Sequence, residues 1–441
     1  MKYFATGIFL FLFILSTSAQ KQRGSESLPA KGTTTPAKGN TQATVGATKG
    51  QTAATAVTWE PIIEMEGNLY TSYIYAASLM PNRAADRDDY KGDKNGQIGI
   101  KIKPAVANSH LKLVIDAPEI MNTTTYEEDL KEVKDYEIFP IIKYKYDELL
   151  KIKQNKLVTI SFRVYINNKD QGEKPKPTWV KGINECLLAY IHRNSPDQVI
   201  NTDWMCAAYV NEGNPLLQDE ILPMVKKTDI IDQMTGYLTY SDDNTGRCTE
   251  DVFKQVFAVW TALQERGVTY SNITGSPNNA KVFSQYIRYT NDAWKSNQAN
   301  CVDGTALFAS ILYKMGIEPV MVLVPGHCFL GFYDRPRVNS QGQQITKRED
   351  NLFFLETTMI GSKTVDESKV SARLEDAFDA MLKPEVKTKY DFAKKSFLAA
   401  LVVGAEEAKT YKAYFADPTK HCHMIDVDQA RKEGVASIPA Q

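Results

Sequence analysis

Apolar and polar side chains alternate in short runs over the first folded part of the chain. Leu69-Tyr-Thr-Ser-Tyr-Ile-Tyr75, residues 97–103, residues 110–115 and residues 157–166 show the alternation of half-buried strands. Turn residues at 167–172 and at Lys174-Pro-Lys-Pro177 punctuate these runs. Short strands at this spacing predict an all-β, sandwich-like module over residues 57–205. It carries no paired catalytic groups, which makes it a structural or binding module.

From residue 211 onward the period lengthens. Pro215-Leu-Leu-Gln-Asp-Glu-Ile-Leu suits a first helical turn. Thr249 is placed to cap a helix with Val252, Phe253, Val256, Phe257, Trp260 and Leu263 on one face, ending at Arg266-Gly267. Between 302 and 315 only Asp303, Thr305, Ser310 and Lys314 are clearly polar, so this helix should be buried nearly all round and stop before Gly316. Pro319-Val-Met-Val-Leu-Val324 and Cys328-Phe-Leu-Gly-Phe-Tyr333 have strand length and are broken by Pro325-Gly326; Leu352-Phe-Phe-Leu355 is a third apolar run. A last helical run covers about 371–414. Helices followed by strands mark an α+β domain, assigned to residues 211–436, and no internal repeat is visible.

The beginning of the chain has neither period. Residues 20–56 are Thr, Ala, Gly, Lys, Gln and Ser with almost no bulky apolar side chains, a composition expected to form a disordered linker. Met1-Lys2, the apolar core Ile8-Phe-Leu-Phe-Leu-Phe-Ile-Leu15 and Ser16-Thr-Ser-Ala19 have the order of a signal peptide over 1–19. The apolar core is too short to span a bilayer comfortably, and no Cys adjoins the cleavage site to carry a lipid. The expectation is a secreted or periplasmic protein, soluble after signal removal and without a membrane span.

Charge narrows the partners. Lys plus Arg is 52 against 53 for Asp plus Glu, so no overall field attracts nucleic acid or anionic lipid. The six cysteines, at 186, 206, 248, 301, 328 and 422, lack the dense spacing of a disulfide scaffold. A pair among Cys186, Cys206, Cys248 and Cys422 is open. Oligomeric state is not set by the sequence.

The candidate chemistry lies between 298 and 356. Cys301 opens a core helix, where unsatisfied amides and the positive end of the helix dipole favour a thiolate nucleophile. The same amides, with Gln298 or Asn300 as side-chain donors, suit an oxyanion. His327 begins a strand and Glu356 closes another; on neighbouring antiparallel strands the carboxylate can orient the imidazole as a Cys-His-acid relay. Taken singly, these are also a small buried Cys, a turn His and a strand-end charge. Trp294 and Tyr270 are candidate walls of a substrate groove, or core residues. Strand alternation turns Cys328 inward.

Other features add little. In His421-Cys422-His423 the two histidines would share a strand face, but no further pair has zinc-like spacing, so no metal is assigned. No calcium-loop pattern and no cofactor motif is present. Asn122-Thr-Thr and Asn272-Ile-Thr match the glycosylation pattern. The polar loop over 335–350 is either a mobile flap or a solvated hairpin tip.

Asn300-Cys301-Val-Asp-Gly-Thr-Ala-Leu-Phe-Ala-Ser-Ile-Leu-Tyr-Lys-Met-Gly-Ile-Glu-Pro319, then Pro-Gly-His327, then Phe-Leu-Glu356-Thr-Thr, resembles the core of the transglutaminase-like superfamily of papain-like cysteine enzymes. The resemblance covers about residues 245–362, and its most specific part is the Cys-led helix running into Gly-Ile-x-Pro. It implies a papain-like C-terminal domain with Cys301 as nucleophile, His327 as general base and Glu356 as orienter. Two positions depart from the pattern: the acid is usually Asp, and Phe329 replaces the Trp often found two residues after the His. The resemblance implies acyl transfer on a protein or peptide substrate, by a cysteine peptidase or amidase or by a transglutaminase-type acyltransferase. The first expectation is peptide or amide hydrolysis through a thioester, and crosslinking differs only in letting an amine enter instead of water. The alternative is an inactive secreted binding protein that uses the β module, with the transglutaminase-like domain as scaffold.

Overall fold

A computed structural model describes residues 56–81, 90–93, 95–242, 244–271, 281–339, 341–345, 348–417 and 420–439. The expected signal peptide, all but the last residue of the expected linker, and Asn272 lie outside the described residues. Within them the chain is mixed α+β with several sheets, and no helix is long and apolar enough to cross a membrane.

The first strands are β1 (Thr58–Ile63), β2 (Asn68–Tyr70), β3 (Tyr90–Gly92), β4 (Ile98–Lys103), β5 (Ser109–Asp116), β6 (Thr124–Leu130), β7 (Tyr136–Phe139), β8 (Lys156–Ile166) and β9 (Lys169–Lys181). They make two sheets, ordered β1-β4-β7-β3 and β2-β9-β8-β5-β6. One apolar core lies between them: Ile98, Ile100 and Ile102 of β4 meet Leu111, Leu113 and Ile115 of β5 and Val158, Ile160, Phe162 and Val164 of β8. Alternate residues are buried because successive side chains of a strand point to opposite faces.

Two local expectations fail here for tertiary reasons. The run 69–75 is not a strand throughout; after β2 it turns into helix α1 (Thr71–Ala76). Tyr70, Tyr73 and Ala76 are buried in the second core, and Ser72 Oγ donates to the Glu185 carbonyl at 2.6 Å, contacts that outweigh β propensity. Lys174-Pro-Lys-Pro177 is not a turn but the middle of β9, and the β8–β9 ladder continues across both prolines. Standing two apart, they fall on one side of the strand, where a missing N–H costs no ladder bond. The turn is Asn167-Asn168, both at positive φ (49° and 64°), as a two-residue hairpin requires.

The change of core comes soon after Val180. Cys186 and Leu187 on β10 (Glu185–Ile191) already belong to the second core, and β10 pairs with β11 (Val199–Asn201) and, across a long sequence gap, with β13 (Val282–Tyr286). β10 lies inside the stretch 57–205 read as the β module, yet these two buried side chains belong to the second core. Arg193 ties the two parts by donating to Glu64 at 3.2 Å and to Glu137 at 2.8 Å.

The second part places its longest helices around an antiparallel sheet. Helix α2 (Thr245–Arg266) begins one turn earlier than a Thr249 cap would allow. Thr249 is instead buried, donating to Asp334 Oδ2 at 2.6 Å. Short strands β12 (Thr269–Tyr270) and β14 (Gln298–Ala299) run parallel, and β13 (Val282–Tyr286) lies between them in sequence. Helix α3 (Cys301–Lys314) then packs on β15 (Pro319–Val324) and β16 (His327–Tyr333), which stand in the sheet β17-β16-β15-β18 with β17 (Leu352–Leu355) and β18 (His423–Asp426).

The last helical run is interrupted at Pro384, and its main piece is α4 (Asp391–Tyr411). It crosses β17 so closely that a Cβ at Gly404 would stand 2.8 Å from the Leu355 amide nitrogen; only glycine permits this approach. Phe257 of α2 is fully enclosed, with its ring 5.3 Å from Phe378 and 5.4 Å from Phe397 of α4. Phe257→Ala is expected to destabilise the protein by about 3–5 kcal/mol through the cavity it leaves, measured by urea unfolding.

Candidate functional site

Cys301 is the first residue of α3, and the turn before it is built to start a helix. Asn300 Oδ1 accepts from the Asp303 amide at 2.8 Å, and Asp303 Oδ2 accepts from the Asn300 amide at 3.1 Å, a reciprocal capping box. Asp303 is 1% exposed; its other oxygen accepts from the Arg288 amide at 2.7 Å, and the Arg288 guanidinium lies 3.8 Å away. Burial pushes the Asp303 carboxyl up, opposed by the Asn300 and Arg288 amides and by the Arg288 charge. Asp303→Ala is expected to cost about 1–3 kcal/mol, because it removes one half of the capping box and leaves the buried Asn300 and Arg288 amides without their carboxylate partner. Chemical denaturation followed by circular dichroism measures it.

His327 follows directly on the Pro325-Gly326 turn, in which Gly326 takes φ 76° and proline suits the preceding turn position. β15 and β16 pair up to Val324–His327, so the imidazole stands at the end of the sheet. The β16–β17 ladder closes at Leu330–Leu355, and Glu356 lies one residue beyond it. The Glu356 carboxylate reaches diagonally to His327, Oε2 to Nε2 at 2.7 Å. The extra methylene of Glu over Asp supplies length for such a diagonal contact.

Glu356 is itself held. It is buried; Oε1 accepts from the Thr358 amide at 2.9 Å and from the Thr358 hydroxyl at 2.5 Å, and its own amide donates to the Ala400 carbonyl of α4 at 3.1 Å. Thr305 of α3 adds a brace, with its hydroxyl 3.1 Å from that of Thr357 and 2.8 Å from the Cys301 carbonyl.

The imidazole is 28% exposed and engaged on two sides. Hydrogen bonding to the Cys301 side chain, and then to Glu356, pushes the His327 pKa up to about 10 against the effect of partial burial. With Nε2 on Glu356, Nδ1 is the ring nitrogen left for the sulfur. At neutral pH the ring is an imidazolium, and both nitrogens donate. Cys301, His327 and Glu356, distant in sequence, are thus brought together in one row, with the His327–Glu356 hydrogen bond at 2.7 Å and the Cys301 side chain acting on the ring from its other side.

The remaining sequence candidates divide. The Asn300 side-chain oxygen is used as the helix cap. The amides of Asp303 and Gly304 are also taken by Asn300, whereas those of Cys301 and Val302 are not consumed by the cap. Gln298 lies on β14, and its carbonyl accepts from Arg288 at 3.0 Å. Trp294, expected to wall a groove, is only 3% exposed; its indole N–H donates to Glu220 at 2.8 Å and Arg266 stacks on its ring. A core indole with its donor engaged offers a substrate neither wall nor hydrogen bond. Tyr270 does face the row: it is 46% exposed, and partial burial followed by the fields of Cys301 and Glu356 raises its hydroxyl pKa.

Cys328 is fully buried, as strand alternation requires. In the His421-Cys422-His423 segment, Cys422 is buried and His423 Nδ1 lies 2.9 Å from Asp203. Glu318, Asp426 and Asp428 bring carboxylate oxygens together, but Arg337 lies among them, at 2.7 Å from Asp426 and 3.2 Å from Asp428. The guanidinium offsets part of that charge, and Lys432 pairs with Asp428 as well. The loop after β16 forms a hairpin tip over its described residues, with Asn339 Oδ1 accepting from the Gln341 and Gln343 amides.

Sequence reasoning missed Thr358, Thr305 and Arg288. The Asn300-x-x-Asp303 spacing was a readable capping signal; nothing local marks the other three, whose partners are remote or follow from a turn. In comparison with known proteins, no family model matches the chain, and no curated protein matches it.

Proposed function

We propose that the protein is an exported cysteine enzyme with a transglutaminase-like, papain-like core, which transfers the acyl group of a peptide or amide to Cys301 and then to water. The observation that carries this reading is the 2.7 Å hydrogen bond between His327 Nε2 and the Glu356 carboxylate, formed beside the helix-opening Cys301, whose side chain raises the His327 pKa. A thiolate at Cys301 attacks the acyl carbon. The tetrahedral oxyanion develops beside the Cys301 and Val302 amides, at the positive end of α3, with Tyr270 at the rim. His327 gives its proton to the leaving amine, and the C–N bond breaks to leave a thioester. Neutral His327 then takes a proton from water, which attacks the thioester and releases the acid and the thiolate. Glu356 keeps the ring oriented and stabilises its charged form.

The test is direct detection of the acyl-enzyme. Incubation with a peptide and amide library, rapid acid quench and mass spectrometry should show an adduct on the peptide containing Cys301 that hydroxylamine removes. A second reading, a binding protein built on the β module, draws on Leu157 and Trp179, which pair across β8 and β9 and are 53% and 50% exposed. Thiol reactivity at Cys301 that is ordinary and unchanged in His327→Ala would favour it.

A further inference from the structure

Two cysteines outside the proposed site lie together. Cys186, on β10, and Cys206, in the 3₁₀ helix Asp203–Tyr209, bring their Sγ atoms to 3.9 Å as free thiols, and neither is exposed. The other four have different partners. Cys248 Sγ donates to the Asp334 carbonyl at 3.4 Å and Cys422 Sγ to the Lys420 carbonyl at 3.5 Å. Cys301 acts on the His327 ring, raising its pKa, and Cys328 is fully buried, its carbonyl accepting from the Thr305 hydroxyl at 3.5 Å. A disulfide has S–S near 2.05 Å, so the two sulfurs need to approach by only about 2 Å, within reach of side-chain rotation.

We propose that Cys186 and Cys206 form a disulfide as the chain folds in oxidising surroundings, stapling β10 to the 203–209 helix. That helix touches β10, β18, α1 and α3, so the bond would lie where the second core meets the end of the β module. The oxidant is a disulfide-bearing exchange partner. One cysteine thiolate attacks its S–S bond, forming a mixed disulfide and releasing the first partner thiol. The second thiolate attacks the protein sulfur of that mixed disulfide, the Cys186–Cys206 bond forms and the second partner thiol leaves. The two electrons reduce the partner, and the two protons end on its thiols. Because both sulfurs are buried in the folded chain, exchange must precede closure of the core or await its opening. The proposal is independent of the acyl-transfer reading and leaves Cys301 free.

The full-length chain, reduced and unfolded, is refolded in reduced and oxidised glutathione, then denatured, alkylated, digested and analysed by mass spectrometry. The expected result is a cross-linked peptide joining Cys186 to Cys206, with Cys248, Cys301, Cys328 and Cys422 alkylated. The same buffer added to the already folded, reduced protein should form this link at least ~10-fold more slowly. Alkylation of all six cysteines after refolding, or pairing of Cys186 or Cys206 with any other residue, overturns the proposal. Equal rates from folded and unfolded chains overturn its assignment to folding.

Discussion

Replacing Cys301 with alanine is expected to abolish the hydroxylamine-sensitive adduct and to lower turnover by roughly 10⁴–10⁶-fold, the range found when an enzyme nucleophile is removed. The fold should survive, because the side chain is only partly buried at the surface end of α3, while the Asn300–Asp303 box that starts the helix is untouched. The substitution also removes the largest influence that raises the His327 pKa. An NMR titration of the imidazole should therefore show its midpoint falling from about 10 toward the ordinary value of 6.5. Adduct loss together with an unmoved midpoint would mean that sulfur and ring do not interact, and the relay would lose its basis.

Glu356→Gln has the second largest expected effect. It keeps the size of the side chain but removes the charge that orients and stabilises the imidazolium; turnover should fall about 10²–10⁴-fold. The pH dependence has a definite sign. The folded His327 pKa of about 10 lies above the ordinary 6.5, so the folded state binds this proton more tightly. The stability so gained is fully present below about pH 6.5 and is lost as pH rises through about 10. Urea midpoints across pH 6, 8 and 10 should show the gap between wild type and Glu356→Gln narrowing at the alkaline end. Turnover should also decline as pH rises through about 10, where the ring no longer carries the proton that the leaving amine needs. A gap that is constant or widens with pH would assign Glu356 a role other than supporting the imidazolium.

The site residues differ in how far local pattern could reveal them. Cys301 was legible because an almost wholly apolar run ending before Gly316 fixes α3 and puts the Cys at its start. His327 was legible because Pro325-Gly326 breaks two apolar runs, which puts the next residue at a strand end. Trp294 and Tyr270 looked alike from sequence, both aromatic and upstream of Cys301. Packing separates them: Trp294 is enclosed by Glu220 and Arg266, while Tyr270 stands beside the row on a short strand paired with the segment before Cys301.

The same division holds for the whole chain. Periodicity alone determined β4, β5 and β8 of the first module, the amphipathic face of α2, the buried character of α3 and the three apolar strands of the sheet beside it, because each depends on which side chains must leave water. Only the tertiary structure decided that 71–76 is helical, that two prolines sit inside β9, that β10 belongs to the second core, and that Cys186 meets Cys206. Those outcomes depend on partners far along the chain, and no local pattern encodes a partner. The separation of Cys301, His327 and Glu356 in sequence is bridged in the same way, by one helix packed on one sheet.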